Sequence, residues 1–439
     1  MSIDILLPAI TPTMEEASIV KWLVSEGDKI SKGDLIAEIE TDKSVVELES
    51  FDEGVLEAIL VREGLVKVDS VIATLSQNVD FSNSVEIELE NNKEPTSTTP
   101  PVIQSSKGSS NKQVNREISL KAALLEALFQ EMKRDPNVFY LGEDVGVAGG
   151  IFKQTKGLFN EFGDQRVIDT PISEAGMFGL AVGSAMSGMR PIVEIMFGDF
   201  ITLVMDQLVN HAAKAHYLSA GKFSVPMVLR TAIGVGGVLG ATHSQSLHAW
   251  LAHIPGLKVV MPSCPSDAKG LLAGAIRDNN PVIFFEDRMT YNNKGLVYEG
   301  ECVIPLGEAD VKREGKDVSI IAISRCVRAA LTAADLLAEK GISAEVIDPR
   351  TIAPLDTETI IQSVKKTSRA IVVDGGHELY GITGEIASVI AEKAFDYLDA
   401  PVMRIGAPHA PIPYNKVLEP LMIPSAEQIV DKVQHMFGD

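Results

Sequence analysis

With 439 residues, of which 45% are hydrophobic and 23% charged, the chain reads as a globular protein too long for one core, and its length suggests about three domains. A formal charge of −21 disfavours nucleic acid and anionic membrane as partners, and no apolar run approaches the roughly 18 residues of a membrane span. The first eight residues have neither the basic start of a secretory signal nor the Arg-rich character of a transit peptide, and Cys264, Cys302 and Cys326 lack disulfide or zinc spacing, so a cytoplasmic protein with reduced thiols is expected.

Residues 1–77 read as a small all-β domain of short apolar runs separated by turns carrying Gly, Asp or Lys. The segment holds 16 acidic residues against 6 basic ones, nearly half the charge excess of the chain in under a fifth of its length. At its centre, strand-like segments 35–41 and 44–49 flank a two-residue tip, Asp42 and Lys43, that presents the lysine to solvent. Taken alone, Lys43 is an ordinary exposed lysine.

Over residues 78–116 the composition changes to Pro, Ser, Thr and Asn with little to bury, which predicts a flexible linker whose ends would lie roughly 35 Å apart. A helix is expected from Ser119, because Leu120, Leu124, Leu128 and Met132 repeat every four residues. Apolar runs at 138–141, 191–197, 225–230, 257–261 and 282–285 then alternate with helical segments, predicting a doubly wound α/β domain over 117–305. A second, smaller α/β domain is expected over 306–439, with strands at 318–323, 344–348, 370–374 and 402–405.

Within the first α/β domain, residues 166–174 read Arg-Val-Ile-Asp-Thr-Pro-Ile-Ser-Glu and run into the Gly- and Ala-rich stretch 175–183. Ser173 is the expected N-cap of a helix and Glu174 its first-turn acid, a common electrostatic arrangement whatever the function. The stretch resembles the β subunit of the E1 component of 2-oxoacid dehydrogenase complexes, which are thiamine-diphosphate enzymes, and the likeness covers roughly residues 116–439. Residues 1–77 resemble a lipoyl domain, with Gly27 and Gly54 on either side of Glu-Thr-Asp-Lys-Ser; Asp42 and Ser44, where a biotin carrier has Met, argue against biotin. Residues 306–439 resemble the C-terminal domain of the transketolase superfamily, which implies dimer building and no catalytic residue.

The resemblance implies a role for each matching residue. Glu174 would hydrogen-bond the aminopyrimidine of thiamine diphosphate, with Ile172, Met196 and Phe200 lining the same pocket and Glu143 close by. His243 would face the active-site channel and assist reductive acylation of lipoamide. Lys43 would carry amide-linked lipoate. A potassium site would use Asp278, Asn280 and the carbonyls of Met227, Ala275 and Ile276, although a helix end followed by an Asx turn accounts for the same residues. The family's metal-diphosphate clamp, a Gly-Asp-Gly followed by Asn, is missing, and the glycine-rich residues 234–240 lack G-x-G-x-x-G spacing and read as a tight loop. An α subunit is therefore expected to supply the clamp and its Mg2+ in an α2β2 assembly, which would work with an E2 acyltransferase and an E3.

The expected reaction is oxidative decarboxylation of pyruvate with reductive acetylation of lipoyl groups, between glycolysis and acetyl-CoA. An acetoin or branched-chain 2-oxoacid dehydrogenase is the nearest alternative. A structural acyl-carrier subunit without catalysis is the alternative from another class.

Overall fold

The computed structural model describes residues 2–8, 16–40, 45–50, 52–68, 70–76 and 115–438. The chain forms two compact units, residues 1–106 and 107–439. Lys43, and the expected linker up to residue 114, lie outside the described residues.

The first unit consists of eight strands: β1 (Ser2–Leu6), β2 (Glu16–Trp22), β3 (Lys29–Ile30), β4 (Leu35–Glu40), β5 (Val45–Glu49), β6 (Gly54–Ile59), β7 (Gly64–Lys67) and β8 (Val71–Ser76). They make two antiparallel four-stranded sheets, β1-β8-β6-β3 and β5-β4-β2-β7. Ile5, Leu7, Ile19, Ile36, Ile39, Leu56 and Leu75 meet in one core. Two turns of like sequence, Ser25-Glu26-Gly27-Asp28 and Ser31-Lys32-Gly33-Asp34, close alike: in each the Asp carboxylate accepts from the Ser N–H at 2.8 Å and the Gly has positive φ. Glu40 of β4 pairs with Val45 of β5, so a four-residue connection carrying Lys43 joins two paired strands.

The second unit begins with β9 (Asn115–Ser119), α1 (Leu120–Arg134), β10 (Val138–Gly142), α2 (Leu158–Phe162), β11 (Val167–Asp169), α3 (Glu174–Met186), β12 (Arg190–Phe197), α4 (Ala215–Leu218), β13 (Val228–Ile233), α5 (His248–Ala252), β14 (Lys258–Val260), α6 (Pro265–Arg277), β15 (Val282–Asp287) and β16 (Lys294–Tyr298). It continues with β17 (Asp310–Arg313), β18 (Val318–Ala322), α7 (Cys326–Glu339), β19 (Ala344–Asp348), β20 (Thr351–Ala353), α8 (Thr357–Thr367), β21 (Ala370–His377), α9 (Ile382–Ala394), β22 (Met403–Ala407) and α10 (Ala426–Met436). Helix α1 starts where the four-residue repeat places it, and the Ser119 hydroxyl accepts from the Ala122 N–H at 3.2 Å.

A seven-stranded sheet runs β11-β10-β12-β13-β15-β14-β20, parallel except at β20, and a five-stranded sheet runs β17-β19-β18-β21-β22. Every residue of β10, β13 and β15 is buried, as expected of parallel strands covered on both faces. One core joins Phe178 of α3 and Leu229 and Phe285 of the large sheet to Ile321, Ile347 and Val372 of the small one. No helix among the described residues is long and apolar enough to cross a membrane.

Several expected boundaries move. β9 starts at Asn115, inside the stretch expected to be linker up to 116, because it pairs antiparallel with β16. β13 covers 228–233 rather than 225–230: Pro226 has no N–H to give a ladder, and Met227 N–H turns back to the Val225 carbonyl at 2.9 Å. β20, from the part of the chain expected to form a separate domain, completes the edge of the large sheet beside β14.

Candidate active site

The parallel strands β11, β10, β12 and β13 are neighbours and end at the same edge of the large sheet, the carboxyl edge where α/β folds gather their functional groups. Glu143 follows β10, and Glu174 opens α3 after the four loop residues that follow β11. Two contacts bring these loops together: Thr170 N–H donates to the Gly142 carbonyl at 2.9 Å, and Gly146 N–H donates to Asp169 Oδ1 at 2.7 Å. Gly146 is required here, since a Cβ would lie 2.5 Å from Asp169 Oδ2.

Glu143 is only 9% exposed, and its Oε1 has no hydrogen-bond partner. Burial pushes its carboxyl up, and the negative charges of Glu174 and Asp144 push it further in the same direction. Ser173 occupies the N-cap position of α3, but its hydroxyl makes no capping hydrogen bond; Glu174 alone complements the helix dipole in the first turn. Ile172 beside it is 83% exposed.

Phe200 and His243 also come together. A tight helical turn, Gly198–Val204, follows β12 and carries Phe200, while His243 lies on the loop that follows β13. Phe197, Phe200 and His243 pack edge to face, with ring centroids 5.0–5.8 Å apart, and Phe152 extends the aromatic wall from Phe197. Asp199 ties the two loops, its Oδ1 accepting from Gln245 Nε2 at 2.8 Å. The His243 ring contacts Thr242 Oγ1 through Nδ1 at 3.2 Å, and its carbonyl accepts from Arg288 Nη1 at 2.7 Å. Met196 is half-buried at the end of β12.

Asp199, Arg288 and the Phe152–Phe197 wall were not singled out from the sequence. A signal existed for Arg288: Glu286, Asp287 and Arg288 put three consecutive charges at the carboxyl end of an otherwise apolar strand.

The glycine-rich loop 234–240 carries no external anion site at its centre. The N–H groups of Gly236 and Val238 donate to the carboxylate of Glu419, at 2.9 Å to Oε1, and at 3.1 Å to Oε1 and 2.9 Å to Oε2, respectively. The residues expected around potassium meet where α6 passes into β15. There, Asp278 Oδ1 accepts from Asn280 N–H and Nδ2 at 2.8 and 2.9 Å, and Asp278 Oδ2 faces the Lys258 ammonium at 2.5 Å. The Ile276 carbonyl accepts from Arg190 Nε at 2.9 Å, the Ala275 carbonyl from Asp278 N–H at 3.3 Å and the Met227 carbonyl from Val282 N–H at 2.9 Å. These oxygens are engaged by protein donors, and the positive charge beside them is Lys258 and Arg190.

Three family models match the chain: "Transketolase, pyrimidine binding domain" over residues 116–294, "Transketolase, C-terminal domain" over 307–429 and "Biotin-requiring enzyme" over 3–75. The chain is 41% identical over 457 aligned residues, 99% of either chain, to the pyruvate dehydrogenase E1 component subunit beta of Rhizobium meliloti (strain 1021). It is 48% identical over 336 residues, 74% of this chain and 98% of the relative, to the acetoin:2,6-dichlorophenolindophenol oxidoreductase subunit beta of Bacillus subtilis (strain 168). The mitochondrial pyruvate dehydrogenase E1 component subunit beta-2 of Oryza sativa subsp. japonica is 46% identical over 319 residues, 72% of this chain and 85% of the relative. Among solved structures, a split-gene transketolase described as an inactive beta4 tetramer shares the fold, with a TM-score of 0.60 over 73% of this chain and 98% of its own, at 21% identity.

Proposed function

This chain belongs to the family of E1-component β subunits that includes its pyruvate dehydrogenase and acetoin oxidoreductase relatives, and from that footing we propose that it is the β half of a thiamine-diphosphate-dependent pyruvate dehydrogenase that acetylates lipoyl groups. The observation that carries this reading is Glu143 at the carboxyl edge of the large sheet, buried with Oε1 unpartnered and within the field of Glu174. An unpartnered buried acid oxygen within the field of a second acid suits a ligand that brings hydrogen-bond donors, as a protonated aminopyrimidine does.

The pyrimidine half of thiamine diphosphate fits these residues. When bound, the cofactor supplies the nucleophilic carbon and the electron sink for decarboxylation. Glu174 would hold a proton at the ring nitrogen N1′, and Glu143, whose carboxyl takes a proton more readily than usual, would stabilise that arrangement. Phe200, Met196 and Ile172 would flank the ring and exclude water. His243, against the aromatic wall, would hold a proton for the incoming lipoyl sulfur.

The diphosphate half does not fit the same chain. The sequence has no Gly-Asp-Gly, and the N–H groups of the one glycine-rich loop after β13 are taken by Glu419. A separate α subunit would bring the clamp and Mg2+, giving an α2β2 assembly that passes acyl groups to an E2 acyltransferase served by an E3. The first unit, matched by a carrier-domain model and included in the full-length alignment with the Rhizobium relative, would present lipoate on Lys43, so that the chain carries its own acyl acceptor.

Acetoin is the second reading, favoured by the 48% identity of the Bacillus subtilis relative over the second unit. Dye-linked oxidation of pyruvate, acetoin and branched-chain 2-oxoacids, by the chain alone and by the chain purified with its α partner, separates the readings. Pyruvate turnover confined to the two-subunit sample is the expected result. Acetoin turnover would move the substrate, and turnover by the isolated chain would overturn the half-site argument.

A further inference from the structure

The part of the chain beyond residue 306 supplies no side chain to the candidate site, yet two of its charged residues grip the loop that ends in His243. Residues 234–240 contain four positive-φ positions: Gly234 at 98°, Gly236 at 125°, Val238 at 53° and Gly240 at 74°. A left-handed valine is strained, and alternation of this kind turns successive N–H groups to one side, forming a nest that needs an anion. Glu419, 3% exposed, provides it through both carboxylate oxygens. On the other side of the loop, Arg325 Nη1 donates to the Val235 carbonyl at 2.6 Å, and its Nε pairs with Asp287 at 3.2 Å.

Two of the loop's glycines leave no room for a side chain. A Cβ on Gly234 would come 2.7 Å from Asp287 Oδ2, and one on Gly236 would come 2.8 Å from Met289 Cγ. Val235 packs with Ala407, Ile412 and Met422, all from the C-terminal part of the chain. Arg288, next to Met289, lies within the fields of both Glu419 and Asp199 and holds the His243 carbonyl at 2.7 Å. The fixed path of the loop therefore runs from Glu419 and Arg325 through residues 234–240 to the backbone of His243.

We propose that Glu419 and Arg325 are positioning residues for His243, so that the C-terminal part of the chain sets the geometry of the acyl-transfer step from outside the site. The proposal rests on the functional reading above, in which His243 acts when the lipoyl group is acylated; a dye takes its electrons without that transfer. Replacing the carboxylate with an amide removes the negative charge and the second acceptor oxygen that hold the Gly236 and Val238 N–H groups of a strained loop and lets the histidine drift, and a displacement near 1 Å is worth up to about a hundredfold in rate.

The test uses Glu419→Gln, Glu419→Asp and, as an independent contact should the first fail to fold, Arg325→Lys, each assembled with the α partner. Three quantities are read: the lipoyl-dependent rate, the dye-linked rate, and amide hydrogen exchange over residues 234–246. Glu419→Gln is expected to cut the lipoyl-dependent rate about ten- to a hundredfold while the dye-linked rate stays within about twofold, with faster exchange confined to the loop and partial recovery in Glu419→Asp. Equal loss of both rates, or unchanged exchange in the loop, overturns the proposal. Faster loop exchange in an assembly whose unaltered form turns over no 2-oxoacid would uphold the positioning and bring down the functional reading instead.

Discussion

Arg230, in the middle of the large sheet, and Glu143, at its carboxyl edge, are both buried charges, but their surroundings differ. Arg230 donates to both oxygens of Glu286 at 2.6 and 2.9 Å and to the Tyr140 hydroxyl at 2.8 Å; Tyr140 in turn donates to Glu194, and Tyr291 donates to Glu286 at 2.9 Å. Gln154 Nε2 closes the set on Glu194 at 3.3 Å. Glu143 lies one residue past β10, the strand that supplies Tyr140. It has a partnerless oxygen and two acids for neighbours. A charge buried for structure comes with its partners, whereas one buried without them lowers stability and persists where something outside the chain completes it.

Substitution on either side breaks this contrast in opposite ways. Glu174→Gln should lower dye-linked turnover of the two-subunit assembly by about 10² to 10⁴ if the carboxylate acts in proton transfer, and shift the thermal midpoint by no more than about 2 °C. A rate within twofold of the unaltered protein would exclude Glu174 from the chemistry and revive the carrier-only reading. Arg230→Met should do the reverse. It leaves Glu286 and Glu194 buried without their cation and should cost about 3–5 kcal/mol in denaturant unfolding. A cost under about 1 kcal/mol would mean the network rearranges freely, and the contrast with Glu143 would lose its meaning.

How much of this was legible depends on the distance over which each feature is written. The four-residue apolar repeat placed α1, and unbroken apolar runs placed the central strands, because both are local periodicities. β11, β17 and β20 have three or four residues each, too few to show a period, and Pro226 displaced β13. Glu174 and Glu143 stand out only through their motifs, and the structure joins the loops that carry them through Asp169 and Thr170. Ser173 takes the N-cap position expected of it, but with φ of −165° and ψ of 72° its hydroxyl makes no capping hydrogen bond. Glu419 and Gly236 are 183 residues apart, and nothing local marks Glu419 as an anion for a distant loop.

A smaller effect sharpens the comparison at Glu143 itself. Glu143→Gln removes one of two like charges while keeping a polar side chain of the same shape. Stability should rise by about 1 kcal/mol, from relief of the cost of burying the charge and then of its repulsion with Glu174 and Asp144, while turnover falls about tenfold. Thermal melts and the dye assay on one preparation give both numbers. A loss of stability would show that the carboxyl makes a contact the fold needs, placing Glu143 with Arg230 rather than opposite it.

Asp348 is an intermediate case, partnered but outnumbered. It accepts from Ser263 Oγ at 2.5 Å and Arg350 N–H at 2.9 Å, while Lys312, 3.8 Å away, is shared with Asp267 and with Asp310 at 2.7 Å. Burial raises its carboxyl to about 7, against the pull of Lys312 and with the help of Asp267. The folded value thus lies above the unfolded one of about 4, so the folded state holds a proton that the unfolded chain releases. The stability this gives is complete below about pH 4 and drains away as pH rises to about 7, at up to about 1.4 kcal/mol per pH unit. Asp348→Asn keeps an acceptor for the Arg350 N–H, turns its amide NH2 to the Ser263 hydroxyl and removes the titration, so unfolding free energies measured from pH 4 to 7 should lose that slope. An unaltered slope would mean that one shared lysine is enough to keep Asp348 ionised, and that partial pairing in this fold behaves like the full pairing around Arg230.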